Sequence, residues 1–158
     1  MISSMENYDY KEEFETVIKK VSSDLGRELD MSKIQIKDRG VPHVPSKWEN
    51  GMMAVYTYNF NGKFLKIGKA GPRSKARFTT QHYNPRSAMS TLAASILRDP
   101  DMAQYSLTED TVGDWIKSNC RRIDVMIPVD MGIFTLELVE AILHYKYEPK
   151  YEGFDSQR

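Results

Sequence analysis

The fold is decided by the stretch from residue 52 to residue 68, which reads MMAVYTYNF-NG-KFLKIG. β-Branched and aromatic residues fill both arms of this stretch, and Asn61-Gly62 between them is a turn signal, so the pattern predicts a β-hairpin. We expect a three-residue loop, residues 60–62, with the glycine in the left-handed position. This loop places Tyr56 opposite Lys66, whereas a two-residue loop would place Tyr56 opposite Ile67.

The expected register divides the hairpin side chains between two faces of the sheet. Because successive strand residues point to opposite faces, one face is apolar and carries Met53, Val55, Leu65 and Ile67. The other face, which we expect on the solvent side, carries Tyr56, Tyr58, Lys66 and Gly68. The hairpin therefore has one face for a core and one face for chemistry.

Apolar periodicity outside the hairpin predicts helices and one more strand. We expect helices over about residues 9–26 and 75–81, a helix capped by Ser87 or Ser90, a helix capped by Thr108, and a last helix ended by Pro149. The apolar stripe of that last helix is Phe134, Leu138, Val139, Ile142, Leu143 and Tyr147. Residues 123–127 alternate as a third strand that ends at Pro128.

These elements define an α/β fold with a small three-stranded antiparallel sheet flanked by helices. Residues 1–46 form an N-terminal helical extension with a proline-containing connector, in which Ile34 and Ile36 alternate only briefly, and residues 47–158 form the core domain. We expect His43, which stands beside two prolines, to be exposed.

Composition excludes several classes of protein. The chain has 158 residues, 41% of them hydrophobic, and no apolar run near the ~20 residues of a membrane span, so we expect a folded, soluble, cytoplasmic protein. The N-terminus lacks the pattern of a secretory signal. Cys120 is the only cysteine, which rules out an intrachain disulfide and a thiolate zinc cluster. We expect it to be buried and inert.

Charge is distributed unevenly although the net charge is zero, with 22 basic and 22 acidic residues. Residues 51–98 contain eight basic residues and no acidic one. Such a segment is typical of a surface that binds phosphates. The alternative is that acidic residues from the rest of the chain fold over this segment and neutralise it.

The same segment carries an ordered set of motifs. They are Ala54-Val55-Tyr56, Lys66-Ile67-Gly68, Arg77, His82, and Glu140 placed nine residues before Pro149. This set resembles the GIY-YIG nuclease superfamily over about residues 51–153. Lys66 stands where the family usually has its second tyrosine, as in some small restriction endonucleases of that superfamily. Ala54 replaces the first glycine, and Glu152 stands where many members have a supporting asparagine.

The resemblance implies that residues 47–158 are the catalytic domain of an endonuclease that hydrolyses DNA with Mg²⁺ or Mn²⁺. It implies catalytic roles for Tyr56, Lys66, Arg77, His82 and Glu140, with Glu140 binding the metal. The rival interpretations are a catalytically inactive nucleic-acid-binding module of the same fold and an accessory protein that docks onto a nuclease.

The residue types fit this chemistry without the family. Tyr56 acts as a general base only if nearby positive charge lowers its pKa, which is about 10 in water. Arg77 can clamp a phosphate through two parallel hydrogen bonds, and Glu140 offers the hard oxygen that Mg²⁺ prefers. His82, with a pKa expected near neutrality, can relay a proton or contact the phosphate. His144 follows Glu140 by one helical turn and is an alternative second metal ligand.

Contacts with DNA outside the cleaved bond are expected from Lys69, Arg73, Lys75 and Arg86. The sequence contains a single set of these catalytic motifs, which holds one scissile phosphate, and the two DNA strands run antiparallel. We therefore expect a homodimer if the protein cuts both strands.

Overall fold

A four-stranded antiparallel sheet organises the part of the chain that the computed structural model describes, residues 7–88 and 90–152. Its strands are β1 (Gln35–Gly40), β2 (Met52–Phe60), β3 (Lys63–Ala70) and β4 (Arg121–Pro128). The helices are α1 (Tyr10–Asp24), α2 (Lys75–Thr79), α3 (Leu92–Arg98), α4 (Val112–Asn119) and α5 (Ile133–Tyr147). Short 3₁₀ turns cover Gln81–Tyr83, Pro100–Tyr105 and Val129–Met131. The α/β class and the antiparallel sheet flanked by helices are confirmed.

The number of strands was underestimated, because β1 comes from the segment interpreted as an extension. The order across the sheet is β1-β4-β2-β3, so β4 is central and pairs with both β1 and β2. Only Ile34 and Ile36 show apolar alternation near β1, and Ile36 is buried within it. Two alternating residues are too few to predict a strand.

The hairpin register differs from the expected one. Phe60 pairs with Lys63, so the loop has two residues, and both Asn61 (φ 51°) and Gly62 (φ 84°) adopt left-handed backbone angles. This is the turn that best matches the twist of two strands. A bulge at Leu65 then shifts the pairing, so that Lys66 lies opposite Tyr58 instead of Tyr56.

The bulge preserves most of the expected division into two faces. Tyr56 pairs with Gly68, and these two residues therefore share a face with Tyr58 and Lys66 as expected. Leu65 was expected on the apolar face with Met53, Val55 and Ile67. It packs instead on the Tyr56 face, since a bulge places an extra residue in one strand without reversing the strand around it.

Each face of the sheet is covered by its own core. On one face, α1 and α5 pack through Phe14, Ile18, Leu136, Val139 and Leu143. On the other face, residues from α2, α3 and α4 cover Tyr56 and Tyr58, and their buried side chains include Phe78, Leu92, Ile96, Val112 and Ile116. The chemical face was expected on the solvent side. It is a second interior, because the helices between β3 and β4 fold back over it.

The expected helices form with small differences at their ends. Thr91, and not Ser87 or Ser90, caps α3 by accepting a hydrogen bond from the Ala94 amide. α4 starts after Thr111, whose hydroxyl accepts from the Thr108 amide. In α5 five of the six expected stripe residues are buried or partly buried, and only Phe134, in the first turn, is exposed. Cys120 is buried, as expected.

None of the helices in the described residues is long and apolar enough to cross a membrane.

Candidate active site

One cavity collects every residue for which a catalytic role was expected. Tyr56 on β2, Lys66 on β3, Arg77 on α2, His82 on the following 3₁₀ turn and Glu140 on α5 all line a recess of about 320 Å³. The five residues come from five different elements, so the fold and not the sequence spacing alone brings them together. We call this recess the Tyr56 cavity.

Tyr56 is fixed in the Tyr56 cavity from two sides. Its hydroxyl oxygen lies 2.6 Å from Nε2 of His82, and the two rings are 4.9 Å apart between centroids. The phenol ring also lies directly over Gly68, because a Cβ atom built on Gly68 would be 2.4 Å from the Tyr56 oxygen. Any side chain at position 68 would therefore displace the ring.

The hydrogen bonds of His82 define which nitrogen carries its proton. The backbone N–H of Leu92 donates to Nδ1 of His82 at 3.1 Å, so Nδ1 is unprotonated. A neutral imidazole then has its hydrogen on Nε2, and this hydrogen is donated to the Tyr56 oxygen. The Tyr56 hydroxyl keeps its own hydrogen for a second partner in the cavity.

The pKa values of this pair differ from what the sequence suggested. Burial, together with the positive charges of Lys66 and Arg77, lowers the pKa of His82 to about 3, so the ring is neutral near pH 7 and does not titrate there. Burial raises the pKa of Tyr56 above its ordinary value although Arg77 acts in the opposite direction. The free protein therefore holds Tyr56 as a phenol, and additional positive charge is needed to make it a base.

Two carboxylates face two lysines across the cavity. Nζ of Lys66 lies 3.0 Å from Oε1 of Glu152, and Nζ of Lys69 lies 3.8 Å from Oε1 of Glu140. Lys66 is 7% exposed, so this lysine is a buried cation with one partner and not the solvated strand residue that we expected. Because the distance between Lys69 and Glu140 is longer, the negative charge of Glu140 is only partly neutralised.

Glu140 is a half-buried carboxyl whose pKa is shifted by burial and by its charged neighbours. Burial raises the pKa of this carboxyl, His144 and Lys69 lower it, and Glu152 raises it further. A carboxylate that is half-buried near a second carboxylate is stabilised by a cation. The described residues contain no cluster of three His, Cys, Asp or Glu suited to a metal. Mg²⁺ prefers hard carboxylate oxygens, takes few protein ligands and keeps several waters.

His144 lines the same cavity but has one ring nitrogen occupied. Its Nε2 lies 2.6 Å from the backbone oxygen of Ile67, and a carbonyl can only accept, so Nε2 carries the hydrogen. This bond connects α5 to β3 and holds Glu140 one turn away in place. A role as a second metal ligand would be left to Nδ1.

The residues expected to contact DNA fall into two groups. Arg73 and Lys75 are exposed, as is the catalytic candidate Arg77, and within the described residues none of the three forms an ion pair, whereas Nζ of Lys69 lies 3.8 Å from Glu140. Arg86 is different, because its NH2 lies 3.0 Å from Oε2 of Glu109 and 3.3 Å from Oδ1 of Asp110. Neutralisation by acidic residues from the rest of the chain, the alternative to an open phosphate-binding surface, thus occurs at Lys66, Lys69 and Arg86 and not at Arg73, Lys75 or Arg77 within the described residues.

Three polar residues of the cavity were assigned neither a catalytic nor a binding role from the sequence. In the sequence, Glu152 stands out only because it replaces the asparagine of the family pattern. The structure pairs it with Lys66. Gln81 follows Arg77 at helical spacing, which is the one sequence signal that could have placed it there. Ser90 also lines the cavity, and no spacing pointed to it.

Comparison of the chain with protein-family models, with curated proteins and with solved structures gives no match.

Proposed function

We propose that this protein is a divalent-metal-dependent endonuclease that hydrolyses DNA phosphodiester bonds. The observation that carries the proposal is the convergence of Tyr56, Arg77 and Glu140 on one cavity of about 320 Å³. Hydrolysis of a phosphodiester needs an activated water, positive charge on the phosphate and a site for a cation. A binding module would need the arginine alone.

Arg77 is the residue that receives the phosphate. Its side chain is exposed at the mouth of the cavity, and its planar guanidinium can donate two parallel hydrogen bonds to the non-bridging oxygens. The exposed Arg73, two residues before α2, and Lys75, its first residue, extend this positive surface and suit the flanking phosphates. Lys69 at the cavity and Arg86, despite its acidic partners, are the remaining candidates for DNA contacts.

A bound cation would lower the pKa of Tyr56, which would then lose its phenolic proton to bulk water and, as a phenolate, accept a proton from the attacking water. The Nε2–H of His82 already donates to the Tyr56 oxygen, so the phenolate keeps this hydrogen bond with no reorganisation. Lys66 supplies a buried positive charge in the same cavity. His82 thus acts as a fixed neutral donor, and the proton relay that the sequence suggested is replaced by this role.

Glu140 is the residue that would hold Mg²⁺ or Mn²⁺. A divalent ion bound there supplies the positive charge that lowers the pKa of water and of a nearby phenol. Glu152 is near enough to affect the pKa of Glu140, and its own partner Lys66 keeps it from repelling the phosphate strongly.

A homodimer stays our prediction for cleavage of both strands. The described residues hold one Tyr56 cavity, and a twofold axis would supply a second cavity with the opposite strand direction.

The proposal is tested by incubating the purified protein with supercoiled plasmid and Mg²⁺ or Mn²⁺, with an EDTA control. Glu140→Gln should lower cleavage at least ~100-fold, by analogy with the loss of one electrostatic contact at a transition state, and should bind DNA as the parent does. Glu137→Gln is the matched control, because Glu137 is exposed on the same helix and does not line the cavity.

The outcomes separate the rival interpretations. Metal-dependent cleavage that Glu140→Gln abolishes and Glu137→Gln preserves supports the nuclease. DNA binding without cleavage in either metal favours the inactive binding module. A Glu140→Gln protein that cleaves as fast as the parent shows that Glu140 is not the metal ligand.

A further inference from the structure

Arg122 on β4 is fully buried, and its guanidinium makes directed contacts with Asp124, Phe78, Tyr83 and Tyr58. Its Nε donates to Oδ1 of Asp124 at 2.9 Å, and its NH2 donates to the backbone oxygen of Phe78 at 2.5 Å. Its NH1 donates to the hydroxyl of Tyr83 at 2.9 Å, and its guanidinium carbon lies 5.2 Å from the centre of the Tyr58 ring. The guanidinium thus joins the centre of the sheet to both ends of the segment 78–83.

The hydrogen bonds continue beyond Tyr83 in one direction. Nδ1 of His43 lies 2.6 Å from the backbone oxygen of Cys120, which can only accept, so Nδ1 carries the hydrogen. Nε2 of His43 therefore accepts from the Tyr83 hydroxyl at 2.8 Å, and Tyr83 in turn accepts from Arg122. His43 was expected to be exposed. It is 6% exposed because this chain of bonds satisfies both of its nitrogens.

The positions that Arg122 holds are next to two residues of the proposed site. Phe78, whose carbonyl it binds, follows Arg77, and Tyr83, whose hydroxyl it binds, follows His82. α2 has only five residues, and the Ser74 side chain forms no capping hydrogen bond. Helices this short are not stable alone, so tertiary contacts must fix where α2 lies.

We propose that Arg122 is a positioning residue that anchors residues 77–83 to the sheet, so that Arg77 and His82 face Tyr56 across the cavity. Asp124 keeps the guanidinium in its plane, and it is itself held by the Ser46 hydroxyl at 2.6 Å and by Nε of Arg39 at 3.1 Å. The catalytic consequence rests on the proposed function, whereas the geometric consequence for His82 does not.

The test compares Arg122→Lys with Arg121→Lys. Arg121 is the adjacent residue on β4, 7% exposed and paired with Asp38, and it lies on the opposite face against Tyr10. We expect kcat for plasmid cleavage to fall about 100-fold in Arg122→Lys with the Kd for DNA within ~3-fold of the parent, because displaced groups cost rate more than affinity. Arg121→Lys, compared at equal folded fraction, should retain kcat within ~3-fold.

A second readout does not depend on catalysis. In protein labelled with ¹⁵N-histidine, His82 should show the neutral form protonated at Nε2 from pH 5 to pH 8. In Arg122→Lys it should lose this signature and titrate near 6.5, the ordinary pKa of histidine. If the parent cleaves no DNA, the proposed function fails while this spectrum still decides the positioning role.

Tyr83→Phe keeps the proposal open to refutation if Arg122→Lys does not fold. This substitution removes only the hydroxyl between Arg122 and His43. We expect the His82 spectrum to change in the same direction as in Arg122→Lys, and kcat to fall about tenfold instead of about 100-fold. A folded Arg122→Lys or Tyr83→Phe protein with the parent's His82 spectrum and kcat would overturn the inference.

Discussion

Gly68 determines where the Tyr56 ring can lie. The two residues pair across β2 and β3, and a Cβ atom at position 68 would lie 2.4 Å from the Tyr56 oxygen and 2.6 Å from its ring carbon Cζ. We expect Gly68→Ala to push the ring away from His82, lower the free energy of unfolding by ~1–3 kcal/mol and slow cleavage about 100-fold.

Gly71→Ala is the control for this prediction, because no atom lies within 4 Å of a Cβ built there. Urea unfolding and plasmid cleavage measure the two effects. A Gly68→Ala protein with parental stability and activity would mean that the phenol can leave the cavity without consequence.

His82 makes stability depend on pH. Its pKa is about 3 in the folded protein, because of burial and the nearby positive charge of Lys66, against ~6.5 in the unfolded chain. The unfolded chain therefore takes up the proton first, and the free energy of unfolding decreases as the pH falls from about 6.5 towards 3. Burial lowers the pKa of His43 as well, which acts in the same direction.

Between pH 7 and pH 5 the free energy of unfolding of the parent decreases, and we expect this decrease to be smaller by about 2 kcal/mol in His82→Gln. Glutamine keeps an amide for hydrogen bonding and has no proton to gain in this range. Denaturant unfolding at pH 5, 6 and 7 measures the slope. Equal slopes for the parent and His82→Gln would contradict a neutral, buried His82.

At the level of single residues, the sequence could identify chemistry but not environment. Tyr56, Arg77 and Glu140 could be selected because a phosphodiesterase needs their functional groups. The burial of Tyr56 and Lys66 could not be foreseen, since it depends on how the segment between β3 and β4 packs on the sheet. The pKa of His82 is lowered by the same packing, so the expectation of a pKa near neutrality was wrong.

At the level of elements, the length of the pattern decided what could be predicted. α1 is defined by an apolar stripe that extends over four turns, and β4 by strict alternation, so both were found close to their observed bounds. β1 offered two alternating residues and was missed. In the hairpin, Asn61-Gly62 determines the turn, but nothing in the sequence marks the bulge at Leu65, which changes the pairing beyond it.

The molecule as a whole depends on its first 46 residues more than their composition suggests. β1 pairs along β4, and the buried Phe14 and Ile18 of α1 complete the core on one face of the sheet. We expect residues 47–158 expressed alone not to fold cooperatively, because β4 loses a neighbour and the α5 face loses its cover. Circular dichroism on heating tests this. A sharp unfolding transition in the shortened chain would mean that the first 46 residues are dispensable for folding.

The strand order β1-β4-β2-β3 also determines when each strand can pair during synthesis on the ribosome. β1 emerges first but has no partner until β4, its neighbour in the sheet, leaves the exit tunnel. In the hairpin of β2 and β3, the edge of β2 that pairs with β4 is also unpaired until β4 has been made. At ~5–20 residues per second, synthesis of the residues up to β4 takes several seconds more. Glu140 and Glu152 follow later still. The nascent chain thus carries an unpaired strand edge until β4 has been made, and the residues that line the Tyr56 cavity meet only after Glu152 has been added.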